Sequence, residues 1–316
     1  NITGRVKASI IRSDRMTLSP DPQIESYNRG KEGYMPELPD LEVMREGLDR
    51  RLVGREILTA SVYSPSILKT ASISLEGLVG ERFAAVSRRG KHLILTCREN
   101  LHVVVHLMLA GRLVIARGAM EPTKATAMAF SLDDGNELRI IENGGIKLAK
   151  VYLVGDPGGV PAIASLGVEP LSGMFTIAYL KERLTGVRRQ LKRLITDQRV
   201  IAGIGTAYAD EILFEARLSP IRYASTLTDE EIERLHVAVK GVLREAIDEI
   251  RSRSGGALLA EASRDFMRVY KRTGQPCPVC GEGIAEIRYA NKRTYYCPNC
   301  QSKGRPLPDR RSWMKR

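Results

Sequence analysis

Residues 277–300 read CPVCGEGIAEIRYANKRTYYCPNC, and this stretch decides how the C-terminal part of the chain folds. Its four cysteines form two C-x2-C pairs with sixteen residues between the pairs. Two thiolates in one tight turn share one side of a tetrahedron, so two such turns joined by a hairpin close a four-sulfur Zn²⁺ site. The spacing predicts one structural zinc, because four thiolates leave no open coordination position. The predicted ligands are Cys277, Cys280, Cys297 and Cys300.

The hairpin between the cysteine pairs carries the cations Arg288, Lys292 and Arg293. The whole chain is basic too, with 49 Lys and Arg against 37 Asp and Glu and a formal net charge of +12. A basic surface favours a polyanionic partner, and nucleic acid comes before a membrane surface. We therefore expect the zinc hairpin to present positive charge to phosphate.

The remaining composition narrows the class of protein. The chain has 316 residues, of which 43% are hydrophobic, enough for about two packed domains and too many for a disordered chain. No apolar run reaches the roughly 18 residues of a membrane helix. Apart from the two pairs there is one cysteine, Cys97, so the cysteines do not form a disulfide framework and fit a reducing compartment. We expect a cytoplasmic protein that does not bind membranes.

The pattern before the zinc module predicts an α+β multidomain protein. Apolar residues fall on one helical face over 38–53, and short β-like runs follow from 56 to 154. DDGN at 133–136 is a strong hairpin turn, and short strands joined by turns predict a two-sheet antiparallel β-sandwich. The periodicity then becomes helical, and it predicts helices over 177–184, 187–196, 207–217 and 229–250.

Four stretches of the chain, in order, carry a resemblance to a known family. From residue 35 to 303 the sequence resembles the formamidopyrimidine-DNA glycosylase and endonuclease VIII family of base-excision repair enzymes. The four stretches are MPELPDLE (35–42), RRGKHLIL (88–95), QRVIAGIGTAYADEILFEARLSP (198–220) and TYYCPNCQ (294–301).

The resemblance implies a fold and an activity. The fold is an N-terminal helix on a two-sheet β-sandwich, a helix–two-turn–helix domain and a zinc finger. The activity is to flip a damaged base out of duplex DNA, cut its glycosidic bond and nick the abasic strand by β,δ-elimination. The expected domains are a disordered or wrongly assigned extension (1–34), the catalytic sandwich (35–155), a linker (156–175), the helix–two-turn–helix domain (176–266), the zinc finger (267–303) and a basic tail (304–316).

The resemblance also assigns the chemistry to three residues. Pro36 matches the family's nucleophile, Glu37 its general acid and base, and Lys91 a lysine that approaches the lesion. An α-amino group titrates near about 7.7–8, well below lysine at about 10.4, so a chain terminus is a natural nucleophile. An internal proline nitrogen is an amide and cannot attack. We therefore expect translation from Met35, removal of that methionine and a mature chain that begins at Pro36.

Five further residues are implied to contact DNA: Leu109, Lys192, Thr206, Lys292 and Arg293. Leu109 stands where the formamidopyrimidine branch has a methionine that fills the vacated base stack. Thr206 and Lys292 replace a usual asparagine and arginine. A helix is predicted to start after the two glycines of GIGTAYADE, and we expect the backbone N–H groups at its N-terminus to hold a phosphate.

Two further departures from the family leave the preferred damaged base undetermined. The loop at 142–150 lacks the arginine–phenylalanine pair of the formamidopyrimidine branch, with Lys147 as a stand-in, and the segment 251–271 is short for the loop that covers 8-oxoguanine. Oxidised pyrimidines, ring-opened bases and bulky lesions are therefore at least as plausible as 8-oxoguanine.

Two other functions compete with the enzyme. A non-catalytic member that binds damaged DNA would keep the charge, helices and zinc, and would not need Pro36 as its mature terminus. A zinc-ribbon RNA-binding or ribosome-associated protein shares the charge and the cysteine pairs but does not explain MPELPDLE or GIGTAYADE. We favour a monomeric enzyme acting on double-stranded damaged DNA, with one structural Zn²⁺ as its cofactor.

Overall fold

The structure is a computed structural model that describes residues 34–69, 73–117, 121–142, 148–289 and 292–309 of the chain. None of the helices in these ranges is long and apolar enough to span a membrane. The predicted α+β architecture is confirmed: a β-sandwich is followed by helices and then by a small cysteine module.

Helix α1 (Leu38–Leu52) begins the described fold and has two buried faces. Pro39 lies in its first turn, where a missing N–H costs nothing. Leu41 and Leu48 pack into the core of the sandwich. Leu38 and Val43 pack into the core of the helical domain. One helix therefore contributes to both cores and fixes its own N-terminal end between them.

The sandwich consists of two four-stranded antiparallel sheets, with strand orders β1-β6-β7-β5 and β2-β3-β4-β8. The predicted hairpin turn at 133–136 is confirmed, and Gly135 adopts the left-handed φ of 79° that this turn requires. The strands are β1 (Ile57–Val62), β2 (Ala85–Arg89), β3 (His92–Arg98), β4 (Leu101–His106), β5 (Gly111–Arg117), β6 (Thr126–Leu132), β7 (Asn136–Glu142) and β8 (Lys150–Val154).

The helical domain follows the predicted order with one shorter element. The helix expected over 187–196 begins at Leu191, because residues 187–190 instead pair their backbone with residues 222–225. The last helix carries the predicted capping box of Thr228 and Glu231. The helices are α2 (Pro161–Ala164), α3 (Ile177–Leu184), α4 (Leu191–Ile195), α5 (Thr206–Glu215) and α6 (Asp229–Ser254).

The cysteine module contains strands β9 (Ala285–Tyr289) and β10 (Lys292–Tyr296), which pair antiparallel, and helix α7 (Pro298–Ser302). Its connection to the helical domain runs through Glu211 of α5. The Glu211 carboxylate is buried and accepts the backbone N–H groups of Arg268, Val269 and Tyr270 at 2.8–2.9 Å. This one side chain therefore fixes the segment that leads into the cysteine module.

Candidate active site and metal centre

The four paired cysteines meet at one point. Their sulfur atoms all lie within 4.8 Å of one another. The Cys277–Cys300 and Cys280–Cys297 sulfur pairs are 3.9 Å and 3.5 Å apart. A tetrahedron with Zn–S bonds of about 2.3 Å has sulfur atoms about 3.8 Å apart, so the donor set fits one zinc ion. A core of a few apolar residues surrounds it, including Phe214 of α5, and the metal supplies the cohesion that so small a module lacks.

Glu37 lies at the N-terminus of α5, 168 residues away along the chain. Its buried carboxylate accepts the backbone N–H groups of Gly205 at 2.7 Å, Ala207 at 3.1 Å and Tyr208 at 3.3 Å. Three of the N–H groups at the helix start that was expected to hold a DNA phosphate therefore bind a side chain of the protein. These N–H groups are engaged by a carboxylate of the chain itself, which the positive end of the helix also stabilises.

Lys91 joins Glu37 at Gly205. Lys91 lies in the turn between β2 and β3. A Cβ built on Gly205 would lie 2.6 Å from the Lys91 Nζ and 2.3 Å from the Glu37 Cδ. Both side chains thus converge on a backbone position that tolerates no side chain. Pro36 is buried next to Glu37, so the structure brings the three predicted catalytic residues together.

Two residues outside the predicted catalytic set, of which sequence reasoning missed Arg264, complete this region. Asp40 is buried, and its Oδ2 accepts the Glu37 N–H at 2.8 Å and the Arg264 Nη2 at 2.6 Å. Arg264 also donates to the Met35 carbonyl at 3.0 Å. Burial opposes the charge of Arg264, but the Asp40 and Glu37 carboxylates outweigh it and raise the arginine's pKa well above its ordinary value. Arg264 thus remains a permanent cation beside Pro36.

A cavity of about 350 Å³ lies between α4, α5 and the zinc hairpin, and it contains two of the predicted DNA contacts. Thr206 lies in its wall. Lys192 lies at its base, where its Nζ forms an ion pair with Asp210 at 2.6 Å and donates to the Thr294 hydroxyl at 3.0 Å. The Lys192 amine therefore also joins α4 to α5 and to the zinc hairpin. The wall further includes Arg189, Arg193 and Asp197. Arg189 pairs with Asp197 at 3.0 Å, but cations still outnumber carboxylates in the lining, so the cavity is basic.

The remaining predicted DNA contacts lie further apart. Leu109 is 40% exposed in the turn between β4 and β5, as a residue that enters a base stack must be. Arg293 is exposed on β10. Lys292 begins that strand, but its side chain falls outside the described part of the chain, as does Lys147 altogether.

A pair of histidines supports the Leu109 turn. The rings of His92 and His106 lie edge to face with centroids 4.6 Å apart. The His106 Nδ1 accepts the Met108 N–H at 3.1 Å, and Met108 has a left-handed φ of 54°. Burial lowers the pKa of His92 to about 4 and that of His106 to about 3, so both rings are neutral near pH 7. The two histidines lie on different strands, so no local pattern indicates that their rings meet.

Three family models match most of the chain. They are the formamidopyrimidine-DNA glycosylase N-terminal domain at residues 35–143, the formamidopyrimidine-DNA glycosylase H2TH domain at 166–255, and a zinc finger found in FPG and IleRS at 274–303. The last range includes all four paired cysteines.

Individual relatives match over nearly their whole length. A formamidopyrimidine-DNA glycosylase of Pelotomaculum thermopropionicum is 37% identical over 275 residues, which cover 84% of this chain and 99% of that protein. One from Symbiobacterium thermophilum is 37% identical over 287 residues, covering 87% and 90%. A Lactococcus lactis glycosylase structure, non-covalently bound to DNA with an AP site, aligns with a TM-score of 0.76 at 26% identity over 84% of this chain and 99% of that chain. The MutM protein of Thermus thermophilus aligns with a TM-score of 0.73 at 32% identity over 86% and 100%.

Proposed function

Because the chain belongs to the formamidopyrimidine-DNA glycosylase family, we propose that Pro36 is the nucleophile of its reaction. The protein is a DNA glycosylase of base excision repair, and AP lyase activity is a property of its family. The observation that carries the assignment is the convergence of Lys91 on Gly205 with Glu37, the chain neighbour of Pro36.

The proposed reaction uses the proline nitrogen as an electron-pair donor. The secondary amine attacks C1′ of the damaged nucleotide, the bond from C1′ to the base breaks, and the base leaves with a proton. The attached amine loses its own proton, and its lone pair then breaks the bond from C1′ to O4′. O4′ takes up a proton, and the opened sugar is left as a C1′=N⁺ iminium. This electron sink acidifies the neighbouring C2′–H, so the 3′-phosphate leaves by β-elimination and the 5′-phosphate by δ-elimination.

Glu37 is suited to the proton transfers in this scheme. An ionised carboxylate offers about four acceptor positions, and three of them are used by the backbone of α5. The carboxylate is thus held in a fixed orientation, as a group that transfers protons requires. Lys91 supplies a positive charge next to it, and in our proposal this charge interacts with the sugar oxygens or a flanking phosphate.

The scheme requires a free amine at Pro36. In the chain as described, the Met35 carbonyl is bonded to this nitrogen, and amide resonance removes its nucleophilic lone pair. We therefore propose that the active enzyme begins at Pro36.

We also propose double-stranded damaged DNA as the partner of a monomeric, cytoplasmic enzyme. The basic cavity beside Thr206 and the exposed Arg293 and Leu109 support contact with a DNA duplex. A thiolate zinc site supports a reducing compartment. Phosphate contacts release counterions, so affinity should fall steeply as salt is raised.

Borohydride trapping on DNA with an abasic site tests the nucleophile. We expect a covalent protein–DNA adduct with a chain that begins at Pro36, and no adduct with a chain that keeps residues 34 and 35 behind a blocked terminus. Both proteins should bind the DNA, which serves as the control for folding. An adduct of equal yield from the blocked chain would contradict the proposal, and its loss in Lys91→Met would then assign the imine to Lys91. Binding without any adduct would support the non-catalytic alternative.

A further inference from the structure

Tyr34 occupies a cleft that is lined by two guanidinium groups. The Arg264 Cζ lies 4.6 Å from the centroid of its ring, and the Arg112 Cζ lies 5.1 Å from the same centroid. The Tyr34 hydroxyl oxygen accepts the backbone N–H of Ala262 at 3.2 Å. The cleft therefore recognises a flat aromatic ring by its face and an oxygen atom by its edge.

Both arginines are held in place through their edges. Arg112 is 6% exposed, and it donates to the Glu261 carboxylate and the Gly111 carbonyl at 2.7 Å each. Arg264 donates to Asp40 at 2.6 Å. Hydrogen bonds in the plane of a guanidinium leave its faces available for stacking. The cleft is thus built before any ligand arrives, from residues of β5 and of the segment after α6.

The cleft lies next to the reacting nitrogen. Arg264 donates to the carbonyl oxygen of Met35, whose carbon is bonded to the nitrogen of Pro36. Once Tyr34 and Met35 are absent, the cleft opens toward the new amine. A base attached to the C1′ atom that this amine attacks has to lie within a few ångströms of it.

We propose that Arg112 and Arg264 form a clamp for the extruded base, and that the clamp selects planar aromatic bases with an acceptor oxygen on the edge. The inference rests on the proposed function and extends it to the class of lesion. Oxidised purines, ring-opened purines and hydroxylated pyrimidines keep an aromatic face and an edge oxygen. A ring-saturated pyrimidine has lost the π-face and gains nothing from the two guanidiniums. In a chain that keeps Tyr34, the tyrosine fills the position of the base.

Single-turnover kinetics of a chain that begins at Pro36 test the clamp. The substrates are duplexes with 8-oxoguanine, 5-hydroxycytosine or 5,6-dihydrothymine, and one with a preformed abasic site. Arg112→Lys keeps the charge and removes the planar face. We expect excision of the two planar bases to fall about 10-fold relative to cleavage of the abasic site. Lysine lacks the flat stacking face and the fork of hydrogen bonds that fix the cation over the ring, and a desolvated contact of this kind is worth about this factor. Excision of dihydrothymine, which is already slow in the parent chain, should change only as much as cleavage of the abasic site changes.

Two further variants complete the design. Arg264→Lys should give the same pattern through the second guanidinium, and it covers the case in which Arg112→Lys does not fold. Arg117→Lys changes an exposed arginine at the end of the same strand, and it is the matched control.

Equal losses on planar, saturated and abasic substrates in both clamp variants would overturn the clamp. Faster excision of dihydrothymine than of either planar base would overturn it as well. If the parent chain does not cleave the abasic site at all, the proposed function itself fails, and the clamp fails with it.

Discussion

Replacement of both His92 and His106 by asparagine should remove a large part of the protein's sensitivity to mild acid. Both rings are kept neutral by burial, and the cations Lys91 and Lys150 add to the effect on His106. Asparagine cannot take up a proton near pH 5.5, and its amide oxygen can still accept the Met108 N–H that His106 accepts now. The double substitution therefore removes the titration while it keeps the acceptor.

The magnitude follows from proton linkage. The pKa of each ring is lowered in the folded protein, to about 4 and about 3, from an ordinary value of 6.5. The unfolded chain therefore binds more protons as pH falls through 6.5, and the free energy of unfolding decreases in that direction. Acidification from about pH 7.5 to about pH 5.5 therefore lowers the free energy of unfolding by about 1.4 kcal/mol for each histidine, or by about 3 kcal/mol for the pair. The result does not depend on the exact folded values, provided that both lie below about 5.

Urea unfolding followed by circular dichroism at these two pH values provides the measurement. Asp210 titrates in the same range with the opposite sign, since burial raises its pKa to about 7 against the effect of Lys192. The difference between parent and double variant cancels that contribution. We expect the parent to lose about 3 kcal/mol more than the variant on acidification. Equal losses in the two proteins would refute the assignment of neutral, buried rings.

Three further outcomes are expected. Gly205→Ala should reduce the rate of abasic-site cleavage at least about 100-fold, because the new Cβ would lie 2.3 Å from the Glu37 Cδ. Gel-based kinetics measure this rate, and an unaltered rate would contradict the assignment of the active site to Glu37 and Lys91. Glu211→Ala should lower stability by roughly 3 kcal/mol or more, since three backbone N–H groups lose their acceptor; thermal unfolding measures it, and the exposed Glu215→Ala should cost under about 1 kcal/mol. Chelation should release one zinc ion per chain, measured by atomic emission, and should abolish DNA binding. The Cys97→Ser variant should keep both its zinc and its DNA binding. DNA binding that survives complete zinc loss would show that the metal does not shape the interface.

The zinc ligands and the secondary structure could be predicted because their signals are local. The cysteine spacing is set within two turns, and the DDGN hairpin within four residues. The shortened helix α4 marks the limit of local reasoning, since residues 187–190 have helical periodicity but find backbone partners at 222–225 instead.

The contacts around Pro36 could not be predicted because they join distant parts of the chain. The Gly-Ile-Gly segment correctly indicated a helix start with available N–H groups, but nothing in it shows that Glu37 would fill them. Arg264 and Ala262 lie in a segment that belongs to neither a helix nor a strand. Their partners Asp40 and Tyr34 are more than 220 residues away. A lone arginine without periodic neighbours has no sequence signature.

Helix α1 has a consequence for how this architecture can be recombined. Because Leu41 belongs to the core of the sandwich and Leu38 to that of the helical domain, neither domain is a transferable module. A chimera that takes its sandwich from one relative and its helices from another would inherit one helix with a face fitted to a foreign core. The two domains are therefore expected to change together over evolutionary time, with α1 as the segment on which both sets of substitutions must agree.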